Sequence, residues 1–235
     1  AQDGRDNDGN ITQTVAGVKQ LTSIEGKFKG VRQGTGVGDN RYSTHSRTTI
    51  TTSSKIIVMA AAEVWFLRAE AALRGFTSED VESCYKQGVT TSFAQWDASG
   101  VSEYLESENT PADYVDTFDK NFDAKATTSI TPKWDNTADN ETKLERIITQ
   151  KWLAIYPEGC EAWAEQRRTG YPKLFKVVVN NSSNAISTDD MIRRVFFNQD
   201  YITNNKPLYD ALVSKLGGLD TGGTRLWWDT GKNNF

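Results

Sequence analysis

Two aspartates near the end of the chain stand in the Asp-Thr-Gly triplet that aspartic proteases use for catalysis. Asp220 and Asp229 each open such a triplet, and each follows an apolar residue. Hydrolysis by this route needs two carboxylates that share a proton across a two-fold axis, each on a loop supported by its own lobe. Only nine residues separate the two aspartates, which leaves no room for a lobe between them. We therefore expect both triplets to form turns.

Other residue types that could support catalysis are also poorly placed. His45 is the only histidine, and no nucleophile motif surrounds it, so we expect a solvated histidine in a loop. The glycine-rich residues 34–38 resemble a phosphate-binding loop, but no buried strand precedes them and no helix with a lysine follows. A glycoside hydrolase needs two carboxyl groups about 5 to 10 Å apart in one cleft, and the sequence pairs no two acids in that way. We therefore expect that the protein is not an enzyme.

Residues 3–10 are rich in the oxygen ligands that calcium prefers. If their second glycine makes the tight turn of an EF-hand, the first ligand position falls on Gly4 and the twelfth on Val15, so that motif fails. Incidental calcium is the only cofactor that this segment leaves open. Cys84 and Cys160 are too few for a disulfide scaffold or a cysteine-rich zinc site, and we expect both in the core.

Three aromatic residues outside any amphipathic pattern are candidates for carbohydrate binding. Sugars stack their apolar faces on exposed rings, while amide, carboxylate and guanidinium groups bind the hydroxyls. Trp96, Tyr114 and Trp134 qualify best, because they lie between two predicted helical hairpins and next to polar residues. Those neighbours are Gln95, Asp97, Asp113, Lys133 and Asn136. The competing interpretation is that these rings form the core of the insertion that carries them.

The first predicted hairpin covers residues 60–94. Its first helix has an apolar face that we expect to consist of Ala60, Val64, Leu67 and Ala71, broadened by Trp65, Ala69, Ala72 and Leu73. A glycine at position 75 is placed to end this helix in a left-handed conformation. The hydroxyls of residues 77–78 are placed to cap a second helix, whose apolar positions are Val81, Cys84, Tyr85, Val89 and Phe93. The pair has the length of one tetratricopeptide repeat, which needs partner helices to bury its faces.

The second predicted hairpin lies between residues 141 and 170. Its first helix carries an apolar face of Leu144, Ile147, Ile148, Trp152 and Ile155. Its return helix runs from Glu161 to Arg168, with Gly170 placed to end it. Because cations complement the carbonyl end of a helix, we expect Arg167 and Arg168 to be structural and to pair with Glu161, Glu165 or Glu70. The alternative is that the arginine pair binds an anion.

The composition of the chain limits the possible classes of fold and function further. The chain has 235 residues, 37% of them hydrophobic, which suffices for a sizeable core. A net charge of −4 provides no basic field, so we expect no nucleic-acid partner. No run of 18 apolar residues predicts a membrane span. The tryptophans at 152, 163, 227 and 228 are expected in the core, since they lie on apolar faces or beside Leu226.

Three sequence blocks together resemble the SusD/RagB family. Residues 62–75 are similar to the family's helix of the form Glu-Val-aromatic-Leu-x-Ala-Glu-Ala, which closes at a glycine. Residues 150–172, from Gln-Lys-Trp to Arg-Arg-Thr-Gly-Tyr-Pro, are the most specific block. Residues 217–229, with Gly-Gly and Arg-Leu-Trp-Trp-Asp, are similar to its usual C-terminal ending. Residues 193–201 depart from the family pattern, because Phe-Asn replaces Tyr-Pro and Asp200 replaces a glutamate.

The resemblance implies a mainly α fold of tetratricopeptide-like helical hairpins with long loop-rich excursions and a few short strands. Residues 1–235 are then expected to be the C-terminal part of a single SusD/RagB-type domain, whose lipid anchor and signal peptide would lie upstream. We divide it into a loop-rich entry (1–55), a helical hairpin (56–94), a loop-rich insertion (95–140) and a second hairpin with the C-terminal region (141–235).

The resemblance also implies a function. The family comprises lipoproteins on the extracellular face of the outer membrane that capture oligosaccharides or other nutrients for a SusC-like TonB-dependent transporter. Membrane attachment would depend only on an N-terminal lipid anchor outside this chain. The alternative is a helical-repeat scaffold that binds proteins and has no small-molecule site.

Overall fold

The computed structural model describes residues 11–15, 18–22, 30–34, 45–46, 51–54, 56–116 and 119–235. These residues contain a two-stranded antiparallel sheet and seven α-helices. The sheet pairs β1 (Ile11–Val15) with β2 (Val18–Thr22), with Ile11 opposite Thr22. The helices are α1 (Ala61–Leu73), α2 (Val81–Gln95), α3 (Val101–Leu105), α4 (Asn140–Ala154), α5 (Gly159–Thr169), α6 (Gln199–Asn204) and α7 (Lys206–Leu216). The predicted mainly α fold class is confirmed. The calcium segment at residues 3–10 and glycine-loop residues 35–38 lie outside the described residues.

Helices α1 and α2 form the predicted first hairpin. Gly75 takes the left-handed conformation, with φ of +75°, just after α1. The predicted hydroxyl cap of α2 is wrong, because Asp80 is the capping residue and its carboxylate accepts a hydrogen bond of 2.8 Å from the backbone N–H of Ser83. A carboxylate satisfies the same free N–H group and also complements the positive end of the helix.

The buried face of α1 differs from the prediction. Ala69 is fully buried as predicted, but Val64 and Leu67 are 42% and 39% exposed. Phe66 and Ala62, which the prediction left out, are 1% and 0% exposed. Apolar residues occur on nearly every side of this helix, so their spacing alone does not select one face. The choice follows from Phe66, whose ring packs against α2 where Gly88 has no side chain. A Cβ atom added at Gly88 would lie 2.8 Å from that ring.

Helix α4 closes the core against this hairpin. Its N-terminus is capped by Asp139, and its residues Leu144, Ile147 and Ile148 are fully buried. They join Phe66 and Tyr85 in one apolar cluster that spans α1, α2 and α4. The tetratricopeptide-like hairpin therefore obtains its missing partner from the second hairpin, as one repeat alone cannot bury both faces.

Ion pairs fasten α5 to the core. The ammonium of Lys151 is 1% exposed and lies 3.4 Å from Glu63, 3.1 Å from Glu161 and 3.3 Å from Glu165. The two Nη atoms of Arg168 each donate a 2.7 Å bond to Glu70. This confirms the structural role predicted for Arg168. These bonds outweigh burial, which opposes charging of the carboxyl, and so lower the pKa of Glu70.

The remaining segments wrap around the helices. The insertion is less loop-like than predicted, because it contains α3 and a 3-10 helix at Lys120–Phe122. Helices α6 and α7 were not predicted. The ends of α7 carry recognisable signals, since Asn205 caps its first turn and Gly217 follows its last residue with φ of +74°.

Three further predictions about burial are wrong. His45 is buried rather than solvated, with 5% exposure. Cys160 is exposed at the start of α5, although Cys84 lies in the core as predicted. Trp227 is 91% exposed and therefore outside the core. Leu226 beside Trp227 made that position resemble a buried one, but the chain turns there.

Candidate functional site

The structure places the three predicted ligand-binding rings in different surroundings. Trp96 follows the last residue of α2 and is 49% exposed. Its ring lies beside Tyr156, which is 45% exposed, with 6.3 Å between ring centroids and 52° between ring planes. Tyr156 comes from the turn between α4 and α5. Two rings from different hairpins therefore form one partly exposed aromatic surface, and only Trp96 of this pair was among the predicted site residues.

Tyr114 lies in the insertion, against Phe175, with 6.0 Å between ring centroids. Its hydroxyl accepts a 3.3 Å bond from the backbone N–H of Arg32 and donates a 3.1 Å bond to Asp116. Burial is the main cause that raises the pKa of Tyr114 to about 12. The phenol is thus a neutral, partly buried group whose hydroxyl is already bonded.

Trp134 belongs to the core. It is 7% exposed, its ring centroid lies 5.0 Å from that of Tyr85, and its indole N–H donates a 2.9 Å bond to Asn136. A sugar cannot stack on a ring that is covered in this way. The expectation that Trp134 presents an exposed ring for stacking is therefore wrong. The reason is that residues 131–136 fold back over α2 instead of projecting into solvent.

Three adjoining clefts are lined in part by residues of α5. The first, which we name the aromatic groove, encloses about 620 Å³. Its lining includes Trp96, Trp152, Leu153, Tyr156, Pro157 and Trp163. Trp163 is partly exposed in this groove, while its indole N–H donates a 2.7 Å bond to the carbonyl of Ile192. The groove therefore presents aromatic faces, and the indole N–H of Trp163 is already hydrogen-bonded within the protein.

The second cleft, the middle cleft, encloses about 690 Å³ and shares Leu174 and Met191 with the aromatic groove. Its lining includes apolar residues such as Phe175 and Val177. It also includes the polar residues Asn180, Asn181, Ser182, Thr188, Asp189 and Asp190. A lining that combines apolar groups with hydroxyl, amide and carboxylate groups suits the two kinds of surface that a sugar ring carries.

The third cleft, the polar cleft, encloses about 600 Å³ between the end of α5 and the C-terminal residues. The two aspartates of the Asp-Thr-Gly triplets are ion-paired in this part of the molecule. Asp229 accepts a 2.7 Å bond from Nε of Arg193 and a 2.6 Å bond from Arg225, and Asp220 pairs with Arg194. Although burial opposes it, the bond from Arg193 lowers the pKa of Asp229. The two aspartates thus pair with different arginines and do not bond to each other.

Gln166 of α5 lines all three clefts. Its side-chain oxygen is buried and accepts no hydrogen bond from any residue that the structure describes. Such an oxygen is uncommon in folded proteins, because burying an acceptor without a donor is unfavourable. A hydroxyl group brought by a ligand would satisfy it. No sequence signal predicts this role, since a glutamine in a polar helix turn has no distinctive spacing.

Arg167 is the next residue, and its surroundings differ from those of the arginines around it. Its guanidinium lies 3.7 Å from the ring centroid of Trp163 and 5.3 Å from that of Trp228. Nη1 donates a 3.0 Å bond to the carbonyl of Arg193, and Nε is buried without a partner in the described residues. Among these residues it makes no ion pair. The predicted pairing of Arg167 with a glutamate is therefore wrong, although it holds for Arg168.

The described residues contain no cluster of histidine, cysteine or carboxylate side chains suited to a metal ion. None of the helices in these residues is long and apolar enough to cross a membrane. What the clefts offer chemically is aromatic stacking, hydroxyl and amide recognition around Gln166, and one unpaired guanidinium.

Comparison with known proteins gives a consistent result. Residues 7–229 match the SusD-like family, described as Susd and RagB outer membrane lipoprotein. A SusD homologue from Bacteroides vulgatus is 50% identical, with a TM-score of 0.80 over 92% of this chain and 45% of its own. A chitin-binding SusD homologue from Flavobacterium johnsoniae is 46% identical, with a TM-score of 0.71 over 77% of this chain and 38% of its own.

A SusD homologue from Bacteroides thetaiotaomicron is 37% identical, with a TM-score of 0.80 over 88% of this chain and 46% of its own. No curated protein matches the chain. The chain thus spans less than half the length of these solved relatives.

Proposed function

Because this chain belongs to the SusD/RagB family of outer-membrane lipoproteins, we propose that it binds an oligosaccharide at the extracellular face of the outer membrane and delivers it to a SusC-like TonB-dependent transporter. This is a binding function without catalysis. The chitin-binding relative from Flavobacterium johnsoniae supports carbohydrate as the ligand class.

The observation that carries the proposal is the ring pair of Trp96 and Tyr156 in the aromatic groove. Both rings are nearly half exposed, although each is large enough to gain from burial. They are inclined to each other by 52°, so two successive sugar rings could stack on them without lying in one plane. Stacking of this kind tolerates many sugars, which suits capture before transport.

Polar recognition would come from the residues that continue the groove. Gln166 presents a buried amide oxygen without a donor, and a sugar hydroxyl can provide that donor. Beyond it, the middle cleft offers the hydroxyl of Thr188 and the amide of Asn181. In an oligosaccharide that ran from Trp96 past Gln166, the sugars near Trp96 would stack on aromatic rings. The sugars beyond Gln166 would form hydrogen bonds with polar side chains.

Binding of oligosaccharides to the full-length protein, measured by isothermal titration calorimetry, tests this proposal. We expect Trp96→Ala and Tyr156→Ala each to weaken binding about tenfold or more, which corresponds to about 1.4 kcal/mol. Trp227→Ala is the matched control, because Trp227 is 91% exposed and lines none of the three clefts. It should leave the affinity unchanged.

Two results would argue against the proposal. If no oligosaccharide bound and no transporter copurified, the function assigned to this chain would be wrong even though the fold is that of the family. If Trp96→Ala left glycan binding intact but abolished copurification of the transporter, the groove would be a protein-binding surface. That second result is the one expected of a helical scaffold without a small-molecule site.

A further inference from the structure

We propose that the polar cleft recognises the carboxylate of an acidic sugar, and that Arg167 is the residue that binds it. The inference rests on the proposed function, because it specifies the class of glycan that the adjoining groove would hold. It is carried by the contacts of Arg167, by the charges around it and by the continuity of the clefts through Gln166.

Two indole rings and one backbone hydrogen bond fix the position of the Arg167 guanidinium. The indoles of Trp163 and Trp228 approach it at 3.7 Å and 5.3 Å, and Nη1 bonds the carbonyl of Arg193 at 3.0 Å. In return, Nη2 of Arg193 donates a 3.1 Å bond to the carbonyl of Arg167. Stacking and one backbone acceptor fix the orientation of the fork but do not neutralise its charge.

The other arginines of the polar cleft already have carboxylates. Arg168 is paired with Glu70 and Glu165, Arg193 with Asp229, and Arg225 with Asp190 and Asp229. The acids of the cleft are likewise occupied, since Lys176 pairs with Asp189, and Tyr171 and Asn234 bond Glu141. Among the described residues lining the cleft, Arg167 and the exposed Lys232 are the cations without a carboxylate partner.

An unpaired guanidinium in such a place is energetically unfavourable. Transfer of a charge from water is costly unless an opposite charge or hydrogen bonds replace the lost hydration. Burial and the nearby charge of Arg193 lower the pKa of Arg167 by more than the carboxylate of Asp229 raises it, so the surroundings on balance disfavour the positive charge. A bound anion would reverse this balance, because it would supply both the missing charge and acceptors for the remaining N–H groups.

The shape and position of the cleft point to a sugar acid. A planar guanidinium matches a planar carboxylate and can donate two parallel hydrogen bonds to it. The cleft lining also includes Thr230, Asn233 and Tyr171, which can bond sugar hydroxyls. Since Gln166 lines both this cleft and the aromatic groove, one oligosaccharide could stack on Trp96 and place an acidic residue against Arg167.

A matched pair of ligands tests the inference without any mutation. The full-length protein is titrated with oligomers of galacturonate, glucuronate and mannuronate, each as the free acid and as its methyl ester. Acid and ester differ only by one charge and one methyl group on each sugar. We expect at least one acid to bind about tenfold or more tightly than its ester, as charge-assisted hydrogen bonds require. The monomeric acids and citrate are included, and they should bind more weakly because they lack the stacked sugars.

Variants then locate the effect. Arg167→Gln should bring acid and ester to the same affinity, and Arg167→Lys should keep part of the preference, since it retains the charge without the fork. Lys215→Gln is the matched control, because it removes one exposed positive charge from α7 and should change nothing. Tryptophan fluorescence and thermal unfolding of each variant show that it is folded.

The outcomes separate the two proposals. Equal binding of acid and ester, or binding of neutral oligosaccharides alone, would overturn the inference and leave the proposed function standing. A preference for the acid that survives in Arg167→Gln would overturn the role of Arg167. Tight binding of citrate or the monomeric acids with no gain from longer chains would show a simple anion site. Failure of every oligosaccharide to bind would remove both proposals.

Discussion

Two arginines of this chain lie near tryptophan rings without a carboxylate partner among the described residues, and their surroundings are opposite. Arg146 of α4 is 5% exposed, lies 6.0 Å from the ring centroid of Trp134, and donates from Nε to the carbonyl of Thr131 at 3.1 Å. Arg167 of α5 lies between Trp163 and Trp228 and lines the polar cleft. The first arginine lines none of the three clefts, whereas the second borders open space.

Residue type alone therefore does not distinguish core from site in this molecule. Both places combine tryptophan, arginine and a buried polar atom without a partner, namely Nη1 of Arg146 and Nε of Arg167. What separates them is whether a ligand can reach the group. We therefore expect substitutions around Trp134 to change stability and substitutions around Arg167 to change binding.

The largest effect is expected from Trp134→Ala. Removing a buried tryptophan leaves a cavity beside Tyr85 and should lower the free energy of unfolding by about 3–5 kcal/mol. Urea denaturation monitored by circular dichroism measures this. Trp227→Ala, at a ring 91% exposed, should change stability by less than about 0.5 kcal/mol. If both substitutions had the same small effect, Trp134 would not be a core residue and its exclusion from the ligand surface would be withdrawn.

A second pair of substitutions compares adjacent arginines. Arg168→Met removes the bonds to Glu70 and Glu165, although Arg74 and Lys151 still contact those acids, so we expect a loss of about 1.5–3 kcal/mol. Arg167→Met breaks no ion pair and retains contact with the indoles, so its effect on stability should stay below about 1 kcal/mol. Equal losses in the two variants would mean that Arg167 serves the fold as Arg168 does.

A third, smaller effect concerns the contact between α1 and α2. Gly88→Ala places a methyl group against the ring of Phe66, which costs about 1–3 kcal/mol, while alanine regains about 1 kcal/mol of helix propensity. We therefore expect a net loss of roughly 0–2 kcal/mol. Gly159→Ala in α5 is the control, because no atom lies within 4 Å of its added Cβ. It should be neutral or slightly stabilising, as measured by thermal unfolding.

The sequence predicts the hairpins better than it predicts their faces. The spacing of Leu144, Ile147 and Ile148 selects one side of α4, and the structure buries that side. The same method fails for α1, where apolar residues surround the helix and Phe66 rather than Leu67 turns inward. Which side of α1 is buried depends on its packing against Gly88 in α2, and the residue pattern of α1 alone does not contain that information.

The candidate site was harder to predict, for a related reason. Trp96 was found because it lies outside a helical pattern, but its partner Tyr156 lies 60 residues away, in a turn that the sequence does not connect with it. Trp134 has the same pattern as Trp96, and only the fold covers it. The unpaired state of Arg167 depends on which carboxylates its neighbours take, and no local spacing carries that information.

The smallest predicted effect is the acid sensitivity of the Glu70 carboxylate. Because the folded state lowers the pKa of Glu70 below its ordinary 4.5, this group stabilises the fold above about pH 4.5, and its contribution is lost as the pH falls through the folded pKa. Glu70→Gln should therefore flatten the fall in stability as the pH drops below about 4.5, measured by urea denaturation. Glu108→Gln is the control, since its pair with Lys133 is exposed and should contribute little.

Arg167→Gln should leave this acid limb as steep as in the wild type, because Arg167 has no carboxylate partner whose protonation could release it. A flattened limb in Arg167→Gln would instead reveal a carboxylate already paired with it, and the charge that we assign to a ligand would belong to the protein.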